Sequence, residues 1–365
     1  MSSIVRNLNC IVDYILRHVL KKLIAYVLIY VLAILYGVLV LVRVLLKVLR
    51  EGTQILKTSP PMENAPACLH DESVGIHNYI TTKSSMNFHY VANGEVGQPL
   101  MLLLHGFPEF WYSWRFQLRE FSNDYRVVAV DMRGYGLSYK PRSSSKYNLF
   151  YLVQDIEEIV EALGYTSCTL VGHDFGGMIA CAVAHRSPKM VEKLVILNAP
   201  HPKIFTDFLF SDWRQFLMSW YIFFFQLPYF PELYLSMGDY RNIEDAYLGT
   251  YYGFGNKANV NDMDFAAFKF AISQPGALTA AINYYRNFFS LCLNDGWLQG
   301  QKLITSPTLI VWGDRDLSLR KNCLESIPSF VETSTIRFVG GASHWVQQDE
   351  PQIVNDFIRE FLQSN

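Results

Sequence analysis

Three residues have the types and the order needed for nucleophilic and acid–base work: Asp174, Asp316 and His344. Asp174 stands in Val171-Gly172-His173-Asp174-Phe175-Gly176-Gly177, between an apolar strand-like run (Thr169-Leu170-Val171) and a helix-like one (Met178 to Ala184). Glycines on both sides allow a sharp turn, which leaves the central carboxylate exposed at a strand end. A carboxylate is already ionised at neutral pH and can attack an electrophilic carbon without a base to activate it. The product is an ester, so a second step is needed in which a base activates water. His344, in Gly340-Gly341-Ala342-Ser343-His344-Trp345, is the expected base. Asp316, in Trp312-Gly313-Asp314-Arg315-Asp316, is the expected partner that orients the imidazole, with Asp314 as the neighbour that competes for the role. Hydrolysis of the ester develops an oxyanion. Its expected donors are the backbone N–H groups of Phe175, after the nucleophile, and of Phe107, in His105-Gly106-Phe107-Pro108-Glu109. His105 itself reads as structural.

A carboxylate nucleophile leaves two chemistries open. The leaving atom is either the oxygen of an opened epoxide or a halide. An epoxide oxygen needs a proton donor across the cavity, and tyrosine is suited to that. With 22 tyrosines in the chain, chemistry alone does not choose among them.

The elements that must position these residues are legible as alternation. An expected strand pair lies within Ile76–Ala92, followed by strands at 99–104, 125–130, 169–171, 193–197, 308–312 and 335–339. Helix-like stretches at about 149–163 and 350–364 fall between or after them. Strands spaced by helices predict an α/β protein with a mostly parallel central sheet covered on both faces. From 201 to 298 no strand-like run occurs and aromatics crowd together (Trp213, Phe216, Trp220, Tyr221, Phe223 to Phe225, Tyr229, Phe230), which predicts a helical cap. The expected divisions are an anchor at 1–50, a linker at 51–75, a core at 76–200 and 299–365, and the cap at 201–298.

Leu23 to Val42 carries no charge over 20 residues, enough to cross roughly 30 Å of hydrocarbon. It lacks the short apolar region and small-residue cleavage site of a signal peptide. It is therefore expected to be a single uncleaved transmembrane anchor. Arg6, Arg17, Lys21 and Lys22 precede it, and Arg43, Lys47, Arg50 and Lys57 follow, so charge bias sets no orientation. A net charge of −2 gives no electrostatic footprint for nucleic acid. The six cysteines (10, 68, 168, 181, 292, 323) have no metal-like spacing and read as reduced thiols, and no N-x-S/T sequon occurs. No cofactor or metal is expected, and water is the second reactant.

Taken together, HGFPEFWYSW, DMRGYGLS, GHDFGG, the SWY…FFQLP segment, YYRN, WGDRD and GGASHW resemble the epoxide hydrolases of the α/β-hydrolase superfamily, in order over roughly 76–365. With its apolar N-terminus the chain is most similar to the membrane-anchored animal members. The resemblance implies Asp174 as nucleophile, Asp316 as relay acid and His344 as base, in the chain order of that fold. It also implies that Tyr221 and Tyr285 activate the epoxide, and that the membrane is the endoplasmic reticulum. The larger soluble members carry a further N-terminal domain, for which 75 residues leave no room. An aromatic cap beside an anchor makes long-chain fatty-acid epoxides the expected substrates. Two rivals are weighed. Haloalkane dehalogenases have Trp after the nucleophile and fluoroacetate dehalogenases have Arg, where this chain has Phe175. An idle lipid-binding hydrolase fold would be free to lose a triad residue, and none is lost.

Overall fold

The computed structural model of the protein describes residues 2–293 and 303–364. The expected cap–core boundary at 298/299 lies outside the described residues, as do the side chains of Arg6, Cys10 and Arg17.

The chain begins with a long helix, α1 (Ser2–Glu51), and enters an antiparallel pair, β1 (Ile76–Thr81) and β2 (Asn87–Asn93). Then follow β3 (Leu100–Leu104), α2 (Arg115–Glu120), β4 (Arg126–Val130), α3 (Leu149–Ala162), β5 (Cys168–His173), α4 (Phe175–Arg186) and β6 (Val191–Leu197). Helices occupy the next stretch: α5 (Pro202–Ser211), α6 (Trp213–Met218), α7 (Trp220–Phe224), α8 (Phe230–Leu248), α9 (Asp262–Ser273) and α10 (Ala277–Leu293). The chain closes with β7 (Thr308–Gly313), β8 (Ser334–Val339), α11 (Val346–Asp349) and α12 (Pro351–Gln363).

The eight strands form one sheet in the order β1-β2-β4-β3-β5-β6-β7-β8. β2 runs antiparallel to its neighbours and the six strands from β4 to β8 run parallel. Every residue of β3, β5 and β7 is buried, because helices cover both faces. This is why these strands read as unbroken apolar runs rather than as alternation.

The connection order places the site. From β3 the chain moves outward to β4, then returns past β3 to β5 and continues the other way. The order therefore reverses between β3 and β5. At such a reversal the loops from the carboxyl ends splay apart and leave a crevice. Register aligns those ends: Leu104 pairs with Gly172, His173 with Leu197, and Leu197 with Val311. The loops carrying Phe107, Asp174, Asp316 and His344 thus leave the same edge of the sheet.

Two N-terminal features depart from a simple tether. Among the described residues one helix is long and apolar enough to cross a membrane, Val19–Glu51. One stripe of it is nevertheless buried against the helical segment: Ile29, Ala33, Val40 and Val44 are all 8% exposed or less. Their spacing of four or seven residues keeps them on one face of α1. Residues 51–75, expected as a linker, hold two short 3₁₀ turns (Thr53–Leu56 and Ala67–His70). They are also tied to the helical segment, since the Gly238 N–H donates to the Lys57 carbonyl (2.9 Å) and the Met62 N–H to Ser273 Oγ (3.3 Å). Sequence alone did not show this strap, because its contacts are backbone-directed and lie more than 170 positions away.

Candidate active site

Asp174 is the hinge between β5 and α4, with φ 50° and ψ −122°. A non-glycine residue in this region is strained, and the strain persists only where the surroundings hold it. Here the holding is close packing. A Cβ on Gly176 would lie 2.1 Å from the Leu104 carbonyl oxygen, and one on Gly106 would lie 2.5 Å from Asp174 Cβ and 2.6 Å from its Oδ2. Glycine at these two positions lets the β3 loop approach the elbow.

That approach brings a donor to the carboxylate. The Phe107 N–H donates to Asp174 Oδ2 at 2.9 Å, beside a cis Phe107–Pro108 bond. Phe175 begins α4, and its N–H is among the helix's unsatisfied first donors. Its ring packs edge-on against Tyr285, with centroids 4.8 Å apart.

His344 is buried, with Nδ1 2.8 Å from Asp316 Oδ2. Its other ring nitrogen lies 3.7 Å from Asp174 Oδ1, beyond hydrogen-bond reach. Burial opposes charge on this imidazole, yet the charge and hydrogen bond of Asp316, with Asp174 behind them, raise its pKa to about 9. Asp316 moves the other way. Burial would raise it, but His344, Asn198 and the Leu319 N–H hold it below the ordinary carboxylate range. Asn198 Nδ2 donates to Asp316 Oδ2 at 2.7 Å, and the N–H groups of Ser318 and Leu319 donate to Oδ1. Asp314, the competing neighbour, is exposed and accepts from the Gly341 N–H.

Tyr221 and Tyr285 sit opposite one another, with ring centroids 5.6 Å apart. Burial raises both phenols well above 10, and the Asp174 charge adds to it. Both hydroxyls therefore keep their protons. Tyr284, next in sequence, differs in that its hydroxyl donates to the Arg133 carbonyl (2.7 Å). Two side chains join the segments that carry the pair. Gln226 donates to the carbonyls of Ile222 and Tyr285, and Arg286 donates to those of Phe225 and Leu227 while pairing with Glu232.

The structure thus gathers Asp174, Asp316, His344, Phe107, Phe175, Tyr221 and Tyr285 at one edge. It also shows a layer that sequence reading did not single out. Glu109 accepts from the Gly106 N–H (3.0 Å), from Gln347 (3.0 Å) and from Gln348 (2.9 Å), and pairs with His173 Nδ1 at 2.6 Å. The other nitrogen of His173 meets the His344 carbonyl at 2.8 Å. Burial would raise Glu109, but His173, the Gly106 N–H and His105 hold it below its ordinary value. The available signal was position alone, since Glu109 ends HGFPE and His173 adjoins the nucleophile. The hydroxyls of Tyr135 and Tyr247 are buried nearby and have no hydrogen-bond partner among the described residues. His105 is structural as expected, accepting from the Met132 N–H at 3.0 Å. Cys168, Cys181 and Cys323 are buried thiols that burial pushes up to about 12.

A parallel sheet, a carboxylate on a strained elbow and a helical segment inserted before β7 define the α/β-hydrolase fold. A family model described as alpha/beta hydrolase fold matches residues 99–351. Epoxide hydrolase 4 of Homo sapiens is 46% identical over 306 residues, covering 83% of each chain. Epoxide hydrolase 3 of Xenopus tropicalis is 43% identical, covering 84% of this chain and 83% of its own length. Among solved structures, a mutant of an epoxide hydrolase from Bacillus megaterium, complexed with its diol product, aligns with a TM-score of 0.71. That chain is 33% identical, and the alignment covers 79% of this chain and all of that one. The chain belongs to the epoxide hydrolase family of α/β hydrolases.

Proposed function

We propose that this hydrolase converts lipid epoxides, with long-chain fatty-acid epoxides foremost, to vicinal diols through an ester on Asp174. Oδ1 of Asp174, the oxygen that the Phe107 N–H does not hold, attacks one epoxide carbon. The carbon–oxygen bond breaks, and the departing oxygen takes a proton from Tyr221 or Tyr285. His344 then removes a proton from water, whose oxygen attacks the Asp174 carboxyl carbon. The oxyanion forms at Oδ2 and is stabilised by the N–H groups of Phe107 and Phe175. Collapse releases the diol and restores the carboxylate, and the proton on His344 returns to the tyrosine.

The single observation that carries this reading is the spacing of His344 Nε2, 3.7 Å from Asp174 Oδ1, with Asp316 on its opposite nitrogen. A base that activated the nucleophile would be hydrogen-bonded to it. One set back from it is placed for a water aimed at the carboxyl carbon. The protonation logic agrees, because esterification removes the Asp174 charge that helps keep His344 protonated. A dehalogenase is disfavoured by the two phenols opposite the carboxylate, which suit an oxygen better than a halide.

The lipid reading is supported by rings around the carboxylate. Phe107, Phe175 and Phe225 all pack edge-on against Tyr285, and α1 is apolar. We propose that α1 anchors the protein in the membrane as a single pass, that of the endoplasmic reticulum by the resemblance to membrane-anchored animal members. The test is conversion of an epoxy fatty acid to its diol by detergent-solubilised protein, beside Asp174→Ala and His344→Gln. Diol from the wild type alone, with an ester adduct accumulating on Asp174 in His344→Gln, is expected. Diol from Asp174→Ala would overturn the mechanism.

A further inference from the structure

Away from the catalytic edge, a cleft of about 420 Å³ opens where α1 meets α8 and the strap between them. Four cations line it: Arg43 and Lys47 from α1, Lys57 from the strap and Arg241 from α8. Among the described residues no carboxylate pairs with any of them. Two carboxylates share the lining, Glu51 and Asp239, and Asp239 is already paired with Lys269. The floor is apolar, with Val44, Tyr234 and Met237 all 9% exposed or less. One wall is fixed where the strap joins α8. There Thr58 bridges Met237, and α8 is broken over Met237–Tyr240. A second hollow of about 360 Å³, lined by α1 alone, shares Arg43, Lys47 and Glu51 with the cleft, adds Arg50, and reaches the apolar side chains of Leu39, Val42 and Leu46. Cations beside the exposed apolar side chains of α1 match one ligand shape, an acidic head on a hydrocarbon tail.

The height of the cleft is set by sequence. The uncharged run of α1 ends at Val42 and Arg43 follows at once. Lys47 stands about 6 Å further along the axis. If α1 lies in a bilayer, these cations stand at the level of the headgroups while Leu39 remains among acyl chains.

We propose that this cleft binds the headgroup of an anionic phospholipid of the surrounding leaflet, its acyl chains lying along Val42 and Leu39. The inference rests on the reading of α1 as a membrane helix. The bound lipid ties three segments together, since its phosphate is held by α1, the strap and α8 at once. The lipid thereby fixes the angle between the anchor and the helical segment that carries Tyr221. α1 touches that segment directly, with Tyr36 against Phe223 (centroids 6.1 Å) and Trp220 (6.4 Å).

The test is calorimetric titration of the full-length protein in a neutral detergent with three probes: dihexanoyl phosphatidic acid, dihexanoyl phosphatidylcholine and inorganic phosphate. Phosphatidic acid is expected to bind at least about tenfold tighter than phosphatidylcholine, and inorganic phosphate more weakly than either. Each cation removed should weaken phosphatidic acid binding by about fivefold, measured as Arg43→Gln, Lys47→Gln and Arg241→Gln, singly and combined. Hydrolysis of a water-miscible epoxide and the thermal midpoint control for folding. If the combined variant melts, Arg241→Gln, which leaves α1 intact, decides alone. Equal binding of the two lipids, unchanged binding in these variants, or phosphate binding as tightly as phosphatidic acid would overturn the proposal. Flotation of the wild type with phosphatidylcholine vesicles tests the anchor separately. Flotation without anionic preference sinks only the cleft, whereas a protein left at the bottom of the gradient sinks the membrane reading.

Discussion

The electrostatic coupling between Asp174 and His344 is the most exposed part of the mechanism, and replacing Asp174 by Asn tests it. The substitution keeps the shape and removes one charge 3.7 Å from the imidazole. At that distance a unit charge is worth about 1 kcal/mol in a water-like medium and about 4 kcal/mol at the effective dielectric of a protein site. Each pKa unit corresponds to about 1.4 kcal/mol. The His344 midpoint should therefore drop from about 9 to between about 6 and 8. The direction is fixed, because a nearby negative charge favours the imidazolium and its removal favours the neutral base. Asn also mimics the ester electrostatically, since neither carries charge. Nuclear magnetic resonance of ¹³C-labelled histidine in detergent, assigned with His344→Gln, reads the midpoint directly. In single-turnover experiments on the wild type, ester decay should quicken with rising pH through the same lowered midpoint. A midpoint left near 9 in Asp174→Asn, or ester decay that follows a midpoint near 9, would refute the argument that esterification releases the base.

Further consequences follow from the same geometry. His344 is held above its ordinary value of 6.5, so its contribution to stability is complete below about pH 6.5 and is lost as pH rises through about 9. The thermal midpoint of the wild type should accordingly fall across that window by more than that of His344→Gln. Tyr221→Phe and Tyr285→Phe should each slow ester formation by about 10- to 100-fold, and the double variant by more, with KM moving far less. Stopped-flow measurement of the first step checks this, and an undiminished rate in the double variant would remove the phenols from the mechanism. Gly106→Ala places a Cβ 2.5 Å from that of Asp174, so the HGFP loop or the elbow must move. A loss of at least about 100-fold in kcat/KM is expected, with the thermal midpoint nearly kept, and near-wild-type turnover would show that the close approach is unnecessary.

A buried, hydrogen-bonded layer lies behind the candidate site. Glu109 is a buried charge whose Oε2 is met from β3's loop and β5 and whose Oε1 accepts from two glutamines of α11. Burial of an unpaired carboxylate would be strongly destabilising, whereas a fully satisfied one fixes the relative position of the segments it joins. Through His173 this network reaches the backbone of His344 itself. Glu109 is thereby linked, through one side chain, to the backbone that carries His344.

The candidate residues and their order along the chain were present in the sequence. An Asp on a Gly-flanked turn, an Asp past one strand and a His past the last can be read residue by residue, because the strands before them are buried runs with few alternatives. The strand positions followed for the same reason. The apolar character of Leu23–Val42 was equally plain, since a charge-free stretch of that length has few other readings. Tertiary structure alone decided how these parts meet. Register placed the strand ends level, so residues 170 positions apart share one edge. Burial separated Asp316 from exposed Asp314, and a hydrogen bond to the Arg133 carbonyl set Tyr284 apart from equally buried Tyr285, pairs that composition cannot distinguish. The Glu109–His173 layer, the strap on α9 and the docking of α1 on α7 depend on contacts distant in the chain. Such contacts leave no local periodicity, because the pattern a sequence displays records which face of an element is buried and not what buries it.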